Sequence, residues 1–222
     1  MKVSEAIKER FSVRAYLDKP VSKETVYKLL DLVRFAPSGH NTQPWEVAVL
    51  TGKTKENLSE KLIEAVNNRV ERKYDFAYGY KDVPDFVKAR RNACNVKVFN
   101  HKNIDPKKDK DKLREHILEN FRFFGAPVGL ILMRDKRLGE EAFVDIGIFA
   151  QTLMLAALEF GLATCSQTSV AAYAELLHKE LNIPDEKMIV MSMALGYPDM
   201  EAHINKLRMD REEVDAFTTF YE

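Results

Sequence analysis

The sequence predicts an α+β sandwich with its sheet in the middle, and three observations carry that expectation. Three short apolar runs, Trp45 to Leu50, Val128 to Met133 and Met188 to Leu195, have the length of buried strands, each with turn-forming residues beside it. Between them lie segments whose apolar residues recur at helical spacing, the longest from Glu141 to Phe160. No repeat, low-complexity linker or break in composition divides residues 1–222, so a single domain is expected.

Val3, Ala6, Ile7 and Arg10 stand at helical spacing and predict a short amphipathic helix. Beyond it Arg10, Ser12 and Arg14 alternate with Phe11 and Val13, so an extended chain here points all three polar side chains to one side. After Pro20, Ser22 is an N-cap and Glu24 sits in the first turn, where the helix dipole favours it. Val26, Leu29, Leu30 and Val33 give that helix one buried face, and Pro37 stops it.

Residues 36–45 form a loop. Pro37, Gly39 and Pro44 exclude a regular helix or a central strand, while Ser38, Asn41, Thr42 and Gln43 gather four neutral hydrogen-bonding side chains. Such a loop suits a partner that is flat, polar and neutral. The first strand follows, then a helix over 53–67 on Leu58, Leu62, Ile63 and Val66.

Residues 68–112 change character. Tyr74, Phe76, Tyr78, Tyr80, Phe86 and Phe99 are mixed with Arg90, Arg91 and the charge run Lys107 to Lys112, which reads as an insertion or lid. The second strand follows Gly125-Ala126-Pro127. Glu141 to Phe160 is apolar almost all round and ends at Gly161, which predicts a central core helix, too polar at its start to span a membrane. A helix over Ala171 to Leu181, the Ile183-Pro184 turn and the third strand complete the order. The tail, residues 199–222, has no sustained apolar period and is expected to be disordered or docked, as on a second subunit.

Composition excludes several functions. Lys plus Arg and Asp plus Glu both number 34, so there is no overall charge to collect nucleic acid or an anionic membrane, and an anion must be gripped locally. Cys94 and Cys165 show no paired spacing and the five histidines no ligand spacing, so neither a disulfide framework nor a metal site is expected. The segment MKVSEAIKERFSV lacks the apolar core of a signal peptide, and a reducing cytoplasm fits. There is no GxGxxG, no GxxxxGK[ST] and no GxSxG, and no ordered base and carboxylate accompany Ser38 and His40.

Arg10, Ser12 and Arg14, with Lys206, Arg208 and Arg211 near the other end, could converge on one phosphate, because the guanidinium fork matches its oxygens. Spacing alone favours a solvated face. Asp145, at the head of the long helix, is either a dipole partner or a polar group facing a cofactor, and spacing does not choose.

In combination these segments carry more. Arg10-Phe11-Ser12-Val13-Arg14 followed by Ala36-Pro37-Ser38-Gly39-His40-Asn41-Thr42-Gln43-Pro44-Trp45 resembles the two N-terminal signatures of the FMN-dependent nitroreductase family. The resemblance continues through Asp145-Ile146-Gly147 with Gln151, through Gly161-Leu162-Ala163-Thr164-Cys165-Ser166-Gln167, and through Ala194-Leu195-Gly196-Tyr197-Pro198 with Asn205, Arg208 and Arg211. The tail pattern is most similar to the branch of nitrobenzoate and nitroarene reductases.

This resemblance implies a three-layer α-β-α sandwich with a mostly antiparallel sheet, in an intertwined homodimer wrapped by the tails and holding two FMN molecules at the interface. Arg10, Ser12 and Arg208, with Lys206 or Arg211, are expected at the phosphate and ribityl chain, and Arg14 at the N1 and O2 edge of the flavin. Pro37, Ser38 and Asn41 are expected to meet the flavin held mainly by the other subunit, and Asp145 to belong to the cofactor site. Ser166, Gln167 and Thr168 are expected along the N5 side; related sequences often carry Pro at the position of Ser166, so contact there falls to the backbone. The activity implied is ping-pong transfer of reducing equivalents from NADH or NADPH to a nitroaromatic, quinone or similar planar acceptor. FMN carries the hydride, so no catalytic acid or base on the protein is demanded. Arg90 and Arg91 are candidate partners for an acceptor carboxylate, or surface cations of a mobile segment. The alternatives are a halotyrosine deiodinase-like reductive dehalogenase, an enzyme that destroys flavin in the manner of lower-ligand biosynthesis, and a non-catalytic flavin-binding protein.

Overall fold

The structure, a computed structural model, describes residues 1–79 and 82–222; Tyr80, one of the aromatics of the expected lid, and Lys81 lie outside the described residues. Four strands, β1 (Glu46–Thr51), β2 (Val128–Asp135), β3 (Ala163–Gln167) and β4 (Lys187–Gly196), form one antiparallel sheet in the order β1-β2-β4-β3. Among the described residues seven α-helices surround it: α1 (Val3–Glu9), α2 (Lys23–Val33), α3 (Gly52–Asn67), α4 (Asp85–His101), α5 (Lys110–Glu119), α6 (Glu141–Glu159) and α7 (Ala174–Leu181).

The pleat sends alternate residues to two cores. Val128, Leu130 and Leu132 of β2 with Met193 and Leu195 of β4 meet α2 and α6, where Val26, Leu29, Val33, Ile146, Phe149 and Leu153 are buried. Ile131 and Met133 with Ile189 and Ala194 meet α3 and α7, and Phe121 and Phe123 of the turn 120–125 fill the space between. Being covered on both faces, β2 reads as a continuous apolar run although its neighbours are antiparallel. Ser22 caps α2 as expected, its Oγ accepting from the Thr25 backbone N–H at 3.0 Å.

Five features differ from the sequence expectation. β3 escaped it because Ala-Thr-Cys-Ser-Gln has no apolar run; pairing with β4, Cys165 opposite Ala194, makes it a strand. Residues 68–112 contain α4 and the start of α5. α7 begins at Ala174 rather than Ala171, because the preceding turn is tied to Lys73, whose N–H donates to the Ala172 carbonyl at 2.7 Å. α6 is not covered all round: its Ile146, Phe149 and Leu153 side lies on the sheet, while Val144 is 65% exposed. By length and hydropathy α6 could cross a membrane, but that packed side makes it one layer of the sandwich. α1 likewise buries no residue, leaving Val3 and Ile7 exposed.

Candidate functional site

Residues 10–17 run along the free edge of β3. The Val13 N–H donates to the Thr164 carbonyl at 3.1 Å, and the Leu17 N–H to the Tyr197 carbonyl at 2.9 Å. Gly196 permits this approach, since a Cβ there would stand 2.6 Å from Pro127 and 3.0 Å from Tyr16. Asn205 fixes the segment from the other end of the chain. Its Oδ1 accepts from the Arg14 backbone N–H at 2.8 Å, and its Nδ2 donates to the carbonyls of Ala15 and Asp199 at 2.8 and 2.7 Å. At 1% exposure, Asn205 spends its amide entirely on this junction.

The junction gathers arginines from both ends of the sequence. Arg208 donates to the Asn205 carbonyl at 2.6 Å and lays its guanidinium 3.5 Å from the centre of the Phe11 ring. Arg14 donates to the Ser12 carbonyl at 3.2 Å. Among the described residues, Arg10, Arg14, Arg208 and Arg211 have no carboxylate within 4 Å. Burial, and then the charge of Arg211, hold the Arg10 guanidinium below its ordinary pKa, as expected where like charges face one another. Burial raises the Cys165 thiol, against the opposing influence of Arg14, Ser12 and Arg10. Beside the segment, Arg10, Phe11, Met154, Leu158, Thr164 and Arg208 line a cleft of about 430 Å³, and the buried Thr164 Oγ1 has no hydrogen-bond partner among the described residues.

Lys206 is drawn off to Glu201 at 3.6 Å. Gln167 turns its amide inward, donating to the Asn120 carbonyl at 2.6 Å, so its side chain braces the turn 120–125. Ser166 is exposed, and the Thr168 hydroxyl lies 2.9 Å from that of Tyr78, which brings residues 68–112 to the end of β3.

The loop 36–45 sits elsewhere. Asp145, 7% exposed, accepts from the Gly39 N–H at 3.1 Å and from the Thr42 hydroxyl at 3.4 Å, and Ser38 Oγ accepts from the Gln43 N–H at 3.0 Å. Asp145 is therefore a fastener of the loop. His40, Asn41 and Gln43 adopt left-handed backbone at φ 50°, 58° and 47°, a strain of roughly 1 kcal/mol or more each that these bonds must hold. Pro37 and Asn41 are exposed. The loop is anchored at the start of α6, whereas the arginine cleft adjoins Leu158 near its end. Thirteen residues at ~1.5 Å each separate Asp145 from Leu158, about 20 Å. Within one chain the two halves of the expected site do not meet.

The exposed side of α6 lies between them. Val144, Gly147, Ile148 and Gln151 follow at helical spacing, and among the described residues nothing beyond the neighbouring helix backbone lies within 4 Å of where a Cβ on Gly147 would stand. Of the two arginines expected at an acceptor, Arg90 pairs with Glu212 at 2.9 Å, and Arg91 is exposed without an ion pair among the described residues. Sequence reasoning assigned no site role to Tyr78, Thr164, Asp210 or Glu212 and did not foresee the junction at Asn205; each depends on contacts between distant segments.

Among the described residues, a sheet edge thus carries four arginines without a carboxylate partner, with a neutral loop anchored apart from them on α6. The comparisons specify the class. Residues 7–197 match the model of the nitroreductase family, and the chain belongs to that family. It is 39% identical over 214 residues to a 4-nitrobenzoate reductase of Pseudomonas putida, covering 96% of this chain and 93% of that one. To a chloronitrobenzene nitroreductase of Comamonas testosteroni it is 35% identical over 219 residues, covering 98% and 96%. The crystal structure of the FMN-dependent nitroreductase NfnB from Mycobacterium smegmatis in complex with NADPH superposes with a TM-score of 0.93 at 31% identity, covering 99% of this chain and 97% of that one.

Proposed function

We propose that this chain is an FMN-dependent oxidoreductase that passes reducing equivalents from NADH or NADPH to nitroaromatic, quinone or similar planar acceptors. The observation that carries the reading is the set of four arginines that have no acid partner among the described residues, gathered at the junction of Asn205 with residues 10–15. That donor set fits the phosphate of FMN, and the family relatives are nitroarene reductases.

Arg10, Arg208 and Arg211 hold the phosphate, Ser12 the ribityl chain, and Arg14 stands at the flavin edge where negative charge collects on reduction. The backbone of Ser166 to Thr168 would lie along the N5 side. Bound there, FMN would supply the hydride chemistry by which nicotinamide reduces and the acceptor oxidises the enzyme. The protein binds, orients and excludes water.

The site is completed by a second copy. The separation of loop from arginines along α6, the open Val144 and Ile148 face and the unpartnered Phe217, Phe220 and Tyr221 of the tail all support an intertwined homodimer. In it Pro37, Ser38 and Asn41 of one chain meet the flavin gripped by the other. Residues 68–112 act as a lid over the acceptor, and the free Cys94 and Cys165 fit a reducing cytoplasm.

An anaerobic stopped-flow experiment tests the reading. Flavin absorbance should bleach with NADH or NADPH and recover on adding a nitroarene or quinone. Recovery with halotyrosines alone would point to a dehalogenase, and flavin that no nicotinamide reduces would leave only a binding protein.

A further inference from the structure

Asp210 and Glu212 flank Arg211 in sequence, placed to quench any anion site to which Arg211 contributes. In the structure they turn the other way. Glu212 accepts from Arg90 Nε at 2.9 Å and Asp210 from Lys97 Nζ at 2.8 Å, and both cations belong to α4. One turn beyond Lys97, the His101 Nε2 lies 2.6 Å from the His203 carbonyl oxygen, and the two imidazoles stack with centroids 3.9 Å apart. Arg90, Lys97 and His101 fall at i, i+7 and i+11, a single stripe of the helix.

α4 has little else to hold it. Val98 is its one buried residue, so segment 203–212 of its own chain is a principal support. The consequence for Arg211 is direct. With both neighbouring acids drawn away, its side chain has only main-chain partners among the described residues, the carbonyls of Met209 and Asp210 at 3.0 and 2.9 Å.

We propose that Arg90 and Lys97 are positioning residues for cofactor binding: by holding Glu212 and Asp210 on α4 they leave Arg10, Arg208 and Arg211 uncompensated toward the phosphate. The inference rests on the phosphate site proposed above. It couples lid and cofactor in both directions. Lifting α4 returns two carboxylates to the arginine cluster, and a bound phosphate, by repelling them, fastens α4. Arg90 thereby has a role on the cofactor side of the lid rather than at an acceptor carboxylate.

The test compares FMN with riboflavin, which lacks the phosphate, by flavin fluorescence titration of the flavin-stripped protein. The unaltered protein should bind FMN well above riboflavin. Arg90→Ala/Lys97→Ala should lose about fivefold in FMN affinity at low salt, less at high salt, with riboflavin unchanged. Adding Asp210→Asn/Glu212→Gln to that variant should restore FMN affinity to within about twofold, since the released acids are then neutral.

The proposal is overturned if the double variant binds FMN as the parent does, if it loses FMN and riboflavin alike, or if the fourfold variant shows no recovery. Should the unaltered protein bind both flavins equally, the phosphate site itself is refuted and the inference goes with it.

Discussion

The backbone N–H of Arg14 donates to the side chain of Asn205 at 2.8 Å, joining residues 191 positions apart in the sequence. This bond is one of three that the Asn205 side chain makes, and with the Asn205 carbonyl that accepts from Arg208 they fix the N-terminal arginines relative to Arg208. Asn205→Ala leaves the Arg14 N–H and two carbonyls without their partner in a closed junction. It should cost about 2–3 kcal/mol of stability and lower FMN affinity, read by urea unfolding and flavin titration.

Arg14 has no acid partner and is expected at the flavin edge. Arg14→Ala should slow reduction by the nicotinamide by about 10- to 100-fold while weakening FMN binding much less. Stopped-flow bleaching with unchanged rates would remove that role.

Tyr16 gives a pH dependence. Its hydroxyl donates to the Val13 carbonyl at 3.2 Å, and burial, reinforced by Cys165 and opposed by Arg14, raises its phenol well above the usual value. The folded state therefore keeps a proton that the unfolded chain releases near pH ~10. The stability this contributes is complete below that pH and is lost as pH rises toward the folded value. Tyr16→Phe should cost about 1 kcal/mol at neutral pH, yet lose stability less steeply above pH ~10. Urea midpoints measured on either side of pH 10 check both parts.

Gly147 is an exposed glycine inside a helix, which costs about 1 kcal/mol relative to Ala unless close approach from outside the chain rewards it. Gly147→Leu should weaken the dimer by about 2–3 kcal/mol without altering helix content. Sedimentation at falling concentration against circular dichroism separates these effects.

Much of this architecture was legible in the sequence because local signals agreed with the global fold. Ser22 announced α2, the apolar runs announced β1, β2 and β4, and the alternation of Arg10, Ser12 and Arg14 showed that an extended chain would put all three on one side. β3 was hidden because its five small and polar residues are held as a strand by β4. α4 was hidden for a related reason: with Val98 alone buried it carries almost no apolar period, and its partners Asp210 and Glu212 lie over a hundred residues away. Asp145 was visible only as a dipole partner or a polar group facing a cofactor, and spacing did not choose between them. Its work on Gly39 and Thr42 follows only from how α6 meets the loop.

The central claim is that loop 36–45 of one copy completes the flavin site built on the arginines of the other. Hybrid dimers test it most directly, combining an Arg10→Ala/Arg208→Ala chain with an Asn41→Trp chain under separate affinity tags. Each variant alone should retain little FMN. The account predicts that the hybrid regains one FMN per dimer, because one of its two sites then carries neither defect. A hybrid that binds no more flavin than its parents would show that loop and arginines act within one chain and would contradict it.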